Sequence, residues 1–188
     1  MNLWLEEFHV YLTVAGFRNA RIRDIDKFFQ TLKSEADDTH VQLLDASLVA
    51  GYEHLHFAVL NALNAFAGRV GISSNLAIEI ILYASAQRQI KEAFRLMGVQ
   101  PSTEKVAVVI LARTEEQASR RLEAVSQLVG GKRDDRVIDL TEDKLEGIKK
   151  LFRISSVELE AKAKRRGLEK QALIDLVIEH MALLVTQR

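Results

Sequence analysis

Residues 106–112 read Val-Ala-Val-Val-Ile-Leu-Ala, seven apolar side chains without a break. Such a run marks a strand covered on both faces, because a strand with one wet face alternates. It predicts a strand at the centre of a sheet or beside it. Immediately downstream, Thr114 stands as an N-cap with Glu115 and Glu116 in the first turn, and Gly130-Gly131 follows as a stop, so a helix is expected over 114–129.

Working outward, Phe8 to Ala15 alternates Phe8, Val10, Leu12 and Val14 against His9, Tyr11, Thr13 and Ala15, the period of a first strand with one buried face. His40 to Ala46 reads as a second strand and Arg136 to Leu140 as a short edge strand. Ile25, Phe28, Phe29 and Leu32 recur at helical spacing. Gly51 opens a helix to about Ala67 that turns Leu55, Val59, Ala62, Leu63 and Phe66 toward a core. Its other side carries His54, Ala58, Asn61 and Ala65, with Asn64, as a small-residue strip open to a partner or satisfied inside the fold.

Asn75 to Met97 reads as one long helix closed by Gly98. The remainder is helical, over Thr141 to Phe152, Ser155 to about Arg166 and Leu168 to about Val185, with Gly167 as the break and a charged, exposed stretch from Glu158 to Arg166. The last helix is apolar around much of its circumference, so it docks on the body or on another chain. The expected class is α+β, a small central mixed or antiparallel sheet of about four strands wrapped by six or more helices. Residues 1–140 form its core, and residues 141–188 form a helical segment packing on the same domain.

The 188 residues are 48% hydrophobic, enough to bury a core without covalent staples. Cysteine is absent, which removes disulfides and thiolate chemistry and agrees with a cytoplasmic location. Met1 to Glu7 carries two acidic residues and leads into no long apolar run, so neither a signal peptide nor a membrane span is expected. Lysine plus arginine number 26 against 26 aspartate plus glutamate, so affinity for nucleic acid has to come from local patches.

The 75–97 segment changes character halfway. Leu76, Ile78, Ile80, Ile81, Leu82 and Tyr83 make its first half apolar on nearly every side, whereas Gln87, Arg88, Gln89, Lys91 and Arg95 crowd the second. On a continuous helix Arg88, Lys91 and Arg95 share one face beside Ala84, Ser85 and Ala86, either a contact surface or an ordinary solvated face. Ahead of it, Gly68-Arg69-Val70-Gly71-Ile72-Ser73-Ser74-Asn75 is a helix entrance with Ser74 or Ser73 as N-cap. Free first-turn amides there would suit an anion, although capping alone accounts for the serines. Glu79 reads as structural.

Enzyme signatures are sparse. There is no phosphate-binding loop, dinucleotide fingerprint or nucleophile elbow. His54 and His56 point in different directions on a helix, and Asp37-Asp38 and Asp134-Asp135 read as solvated turn charges. No catalytic residue, metal or cofactor is expected.

Gly51-x-x-His54-Leu55, Asn64-Ala65-Phe66, Ile72-Ser73-x-x-Leu76-x-x-Glu79-Ile80-x-Leu82-Tyr83-Ala84-Ser85-x-Gln87-Arg88-Gln89-Ile90 and Met97-Gly98-Val99 together resemble the CGI-one-two-one family, the kinase-associated small subunit of the KEOPS complex. The likeness is strongest over His40 to Ala112 and covers Thr141 to Gln171 poorly. Ile178-Glu179-His180-Met181-Ala182-Leu183 is similar to the family's terminal helix, with His180 where an arginine is common, and Ala86 stands where a glycine is usual.

The resemblance implies a non-catalytic subunit that binds and stimulates the complex's atypical kinase/ATPase and grips the single-stranded CCA end of tRNA. It thereby serves a separate catalytic subunit that places threonylcarbamoyl on the adenosine after the anticodon. Carried onto this chain, it makes Arg69, Ser73, Ser74, Asn75, Arg88, Gln89, Lys91 and Arg95 the RNA-surface candidates, with Tyr52 or an aliphatic surface for stacking, and His180, Met181 and Leu184 the kinase-interface candidates. Arg88, Gln89 and Tyr83 read equally as internal braces. The alternative is a protein-interaction or homodimerisation module without direct RNA contact.

Overall fold

The structure is a computed structural model that describes residues 1–34, 38–163 and 167–185. Asp37 of the acidic pair and the expected helix end at Arg166 lie outside the described residues; Asp38 pairs with Arg113 at 3.5 Å. The chain divides into two compact units interleaved in sequence, residues 1–46 with 98–137 and residues 47–97 with 138–188. The class is α+β.

The first unit holds an antiparallel sheet of β1 (Asn2–Leu5), β2 (Val10–Arg18), β3 (His40–Asp45), β4 (Lys105–Ala112) and β5 (Lys132–Arg133). The order is β1-β2-β4-β3, and β5 pairs with the far end of β2. The apolar run is therefore central. Residues 106–112 are at most 2% exposed, and β4 pairs with β2 from Tyr11↔Ala112 to Arg18↔Lys105. The predicted first strand is in fact the second, running three residues further to Arg18 and buried on both faces rather than one. Helices α1 (Ile25–Ser34) and α5 (Glu115–Val129) lie on one face, where Phe28, Leu32, Val125 and Val129 join Ala15, Phe17, Val106, Val108 and Ile110 in one apolar cluster. Thr114 and Gln117 form a capping box, and Gly130 closes α5 at φ 67°.

Two strand expectations need correction. The edge strand is Lys132–Arg133, and Asp135–Ile138 is a 3-10 turn instead of a strand. The loop beyond β5 is drawn onto β2 at Gly16, whose amide donates to Asp135 Oδ1 at 2.9 Å and where a Cβ would lie 2.6 Å from the Asp134 carbonyl. The Asp134-Asp135 pair is accordingly not a free solvated charge: Asp134 takes Arg136 at 2.9 Å and Arg18 at 3.5 Å, and Asp135 takes Arg133 at 2.8 Å. Hydrogen bonding from Arg136 holds the Asp134 carboxyl below its usual range.

The second unit contains α2 (Tyr52–Ala67), α3 (Leu76–Ala84), α4 (Ile90–Met97), α6 (Glu142–Phe152), α7 (Ser156–Ala163) and α8 (Glu169–Ala182). α8 packs against α2, α6 and α7, and Ile148, Phe152, Leu173, Leu176 and Val177 form a shared cluster. The expected outer strip of α2 is mostly interior: His54, Ala58 and Ala65 are buried with Leu55, Val59 and Ala62, and Asn64 alone of the strip is exposed.

The long helix of residues 75–97 is two helices. α3 ends at Ser85, where the Ser85 hydroxyl returns to Ile81 O at 2.7 Å, Ala86 N donates to Tyr83 O and Gln87 N donates to Leu82 O. This crossed pair is a Schellman ending, and it puts Ala86 in the left-handed region at φ 50°. A glycine adopts that conformation freely, whereas an alanine bears a cost of about 1 kcal/mol. α4 ends at Met97, directly before Gly98 as expected, but Gly98 bridges to Leu44 and lies outside the left-handed region.

Candidate nucleic-acid interface

α2 also ends in a Schellman turn, with Arg69 N on Phe66 O and Val70 N on Ala65 O, and the left-handed residue is Arg69 at φ 53°. The turn sends the chain back past the end of α2, so that Ala65, Phe66 and Arg69 on one side and Gly71, Ile72, Ser73 and Ser74 on the other enclose a depression of about 280 Å³. Arg69 and Ser74 are exposed, and Phe66 and Ser73 half-buried. The Schellman turn itself imposes this conformation on Arg69, as helix endings do on Ala86 and Arg153, and it sets the arginine at the rim of the concavity.

Glu79 organises the far wall. Its carboxylate is fully buried and accepts from Ile72 N at 3.1 Å and Ser73 N at 2.8 Å, reaching back from α3 to the entering loop. The N-cap of α3 is Asn75, not Ser74 or Ser73: Asn75 Oδ1 accepts from Ala77 N at 2.9 Å and Ile78 N at 3.3 Å, while Ser73 Oγ takes Asn75 N at 3.1 Å. These loop and first-turn amides are thus answered from within the chain and do not form the expected anion site; Arg69 is the cation that lines the depression.

The break after Ala84 separates the remaining candidates from this depression. α3 is nine residues long, and at 1.5 Å per residue that puts about 13 Å between its ends. Arg88 and Gln89 lie on the connecting turn, and Lys91 and Arg95 on α4, all exposed. Arg88, Lys91 and Arg95 therefore do not share one helical face. Arg88 Nη1 donates to Leu184 O at 3.1 Å, and Arg95 pairs with Glu92 at 2.8 Å, whereas Lys91 makes no hydrogen bond or ion pair among the described residues. Tyr83, 3% exposed, belongs to the interior; burial, with Glu79 nearby, raises its pKa.

The turn that carries Arg88 is fixed from below by His54. Its Nδ1 accepts from Ala50 N at 3.0 Å and its Nε2–H donates to Ala84 O at 2.7 Å, which assigns the tautomer and caps a terminal carbonyl of α3. Burial depresses the imidazole pKa to about 4, so it stays neutral in this role. His56 instead stacks on Tyr52, centroids 5.9 Å apart, which occupies one face of the expected platform. Phe66 is the aromatic ring that reaches the depression, a residue the sequence motif contains but periodicity assigns to the core.

Of the kinase-interface candidates, Met181 is 0% and Leu184 1% exposed. Both face inward because α8 and the turn after it pack on their own unit. His180 is half-buried, edge-on to Phe152 at 6.4 Å, and Leu183 is a large apolar residue exposed at this end, at 53%.

These features describe a small α+β protein with an arginine-rimmed depression of about 280 Å³ between the end of α2 and the entrance to α3. Among the described residues, no three His, Asp or Glu side chains gather as a metal site, and no helix is long and apolar enough to cross a membrane. The profile of the family described as "Kinase binding protein CGI-121" matches residues 19–184. A relative, "Regulatory protein Cgi121" of Methanocaldococcus jannaschii, is 33% identical over 165 residues, 88% of this chain and 98% of its own. The chain belongs to the CGI-121 family. The match extends through 141–171, the segment where the motif likeness is weak.

Proposed function

We propose that this chain is a non-catalytic, cytoplasmic subunit of KEOPS that binds and stimulates the complex's kinase/ATPase. In this reading it holds the CCA end of tRNA for threonylcarbamoylation by the separate transferase subunit. The observation that supports the RNA role is the convergence of Phe66, Arg69, Ser73 and Ser74 on one depression. An unstacked nucleotide needs a flat apolar surface, a charge for its phosphate and hydroxyl or amide partners for its edges. Lys91, Arg88 and Gln89, one helix length away, supply charge and polar contacts for a neighbouring nucleotide. Kinase binding is supported by the family's description, and a regulatory role by the name of the relative. At the end of α8 and the turn after it, kinase binding falls to His180 and the exposed Leu183, with Met181 and Leu184 bracing them from inside.

A second reading, a protein-interaction or dimerisation module, draws support from Arg88 and Arg95, whose guanidinium groups are engaged by Leu184 and Glu92. The two readings separate when the affinity for intact tRNA is compared with that for the same tRNA trimmed of its CCA end. Loss of at least about tenfold, the value of one stacked base, is expected from the RNA reading; equal affinities favour the second.

A further inference from the structure

Within the first unit the sheet has two outer edges. β3 forms one, and there Gly98 bridges to Leu44. β1, with β5 further along β2, forms the other. Met1 exchanges both of its backbone hydrogen bonds with Val14, at 2.7 and 2.9 Å, and in an antiparallel ladder such pairs alternate with pairs that exchange none. Leu3 and Leu5 therefore also turn their amides and carbonyls toward β2, whereas Asn2 and Trp4 turn theirs outward. Those two amides and two carbonyls have no partner among the described residues.

Natural sheets blunt a bare edge with charge, proline or a bulge. β1 reads Asn-Leu-Trp-Leu and carries none of the three. It is also pinned in place: Thr13 Oγ1 donates to Asn2 Oδ1 at 2.8 Å, Asn2 Nδ2 donates to Glu115 at 3.1 Å, and Trp4 packs on Tyr11 with ring centroids 4.8 Å apart. Leu3 is 39% exposed on one face of the strand and Trp4 41% on the other. An ordered edge with apolar side chains on both faces is a template for another strand.

We infer that β1 is a homodimer interface, on which β1 of a second copy adds antiparallel and joins the two sheets into one. The spacing of the outward residues selects a second copy over an unrelated strand. In a two-fold pairing centred on Leu3, Asn2 of each chain faces Trp4 of the other, so every outward amide and carbonyl of both strands is used, in four hydrogen bonds. The two copies of Leu3 then meet with Cα atoms about 4.5 Å apart and cover each other. Charge does not oppose this pairing. Glu6 and Glu7 lie beyond the paired segment and, by the two-fold, at opposite ends of it, and the chain has a formal net charge of zero. Contact over so short a strand falls among the weak, transient interfaces, so the dimer forms as concentration rises and is lost on dilution. The surface is separate from the Arg69 depression and from the end of α8, and it stands whether or not the chain holds RNA.

Trp4 is the chain's only tryptophan, so its emission reports on this edge directly. The untagged full chain is followed by sedimentation equilibrium and fluorescence from micromolar to millimolar concentration. Dimer is expected to appear together with a blue shift of the emission, and the Trp4 amide, read by NMR, to exchange more slowly as dimer grows. Asn2→Pro removes one outward amide from each copy, and proline is tolerated there because the ladder within the chain does not use that group. Association should weaken on the order of thirtyfold, since two of the four hydrogen bonds are lost. Asn2→Ala forfeits the same contacts to Thr13 and Glu115 but keeps the amide, so it should associate as the parent does. Melting curves check that both variants fold. A chain that stays monomeric throughout, a dimer that Asn2→Pro leaves intact, or equal weakening by both variants overturns the inference. Should the proline variant fail to fold, exchange of the Trp4 amide in the parent decides: a rate that does not change while dimer forms places the contact elsewhere and overturns it as well.

Discussion

A chain carrying Arg69→Glu and Lys91→Glu is expected to bind tRNA about a hundredfold more weakly at low salt, the scale set by two phosphate-neutralising cations giving way to anions, while melting as the parent does. The two positions are chosen because both are exposed and neither makes a side-chain hydrogen bond or ion pair among the described residues. Glutamate at 69 inherits the same left-handed backbone that arginine bears, so the folded state gains no new strain. Reversal replaces two attractions with two repulsions, one at each end of α3. Arg88 and Arg95 are poorer probes. Altering Arg88 releases the Leu184 carbonyl, and altering Arg95 orphans Glu92, so either change mixes local structure with binding. Filter binding with melting as a control reads the outcome, and unchanged affinity removes both residues from the RNA surface.

Glu79→Ala is expected to destabilise the protein by about 3 kcal/mol and to erase the depression. The carboxylate is buried and answers two loop amides. Hydrogen bonds to a charged acceptor contribute about 1.5–3 kcal/mol, and an abandoned buried donor costs roughly 1–3 kcal/mol, part of which water recovers here because Ile72 and Ser73 are only half-buried. Glu79→Gln isolates the cause: its carbonyl oxygen serves one amide while its NH2 faces the other, donor against donor, so it should recover only part of the loss. Urea denaturation measures both variants. A loss under about 0.5 kcal/mol for the alanine variant would mean that the loop stands without Glu79.

The sheet was legible where burial leaves a pattern. An unbroken apolar run rich in β-branched residues fits a strand buried on both faces, and β4 occupies the centre it implies. β1 lacks such a signal because three of its four residues are exposed, and β5 is two charged residues whose pairing is imposed by β2. The break between α3 and α4 was hidden for a different reason. Ile90, Phe94 and Met97 continue the helical period across it, and alanine, the best helix former, occupies the left-handed position. Only the family's glycine at that position hinted at a helix end.

The candidate site divides along the same line. Arg69, Ser73 and Ser74 were found from a glycine-rich entrance and do converge on one depression. The sharing of a face by Arg88, Lys91 and Arg95 depended on helix continuity and fell with it. Glu79 reaching backward to Ile72 and Ser73 is a tertiary contact that no spacing encodes.

The central claim, one chain holding a kinase and the end of a tRNA together, is tested most directly by immobilising the kinase subunit and measuring captured tRNA with and without this chain. The account predicts retention of intact tRNA when this chain is present, and little retention without it, with tRNA lacking the CCA end, or with Arg69→Glu and Lys91→Glu in place. Retention of tRNA by the kinase subunit to the same extent with and without the chain would contradict it.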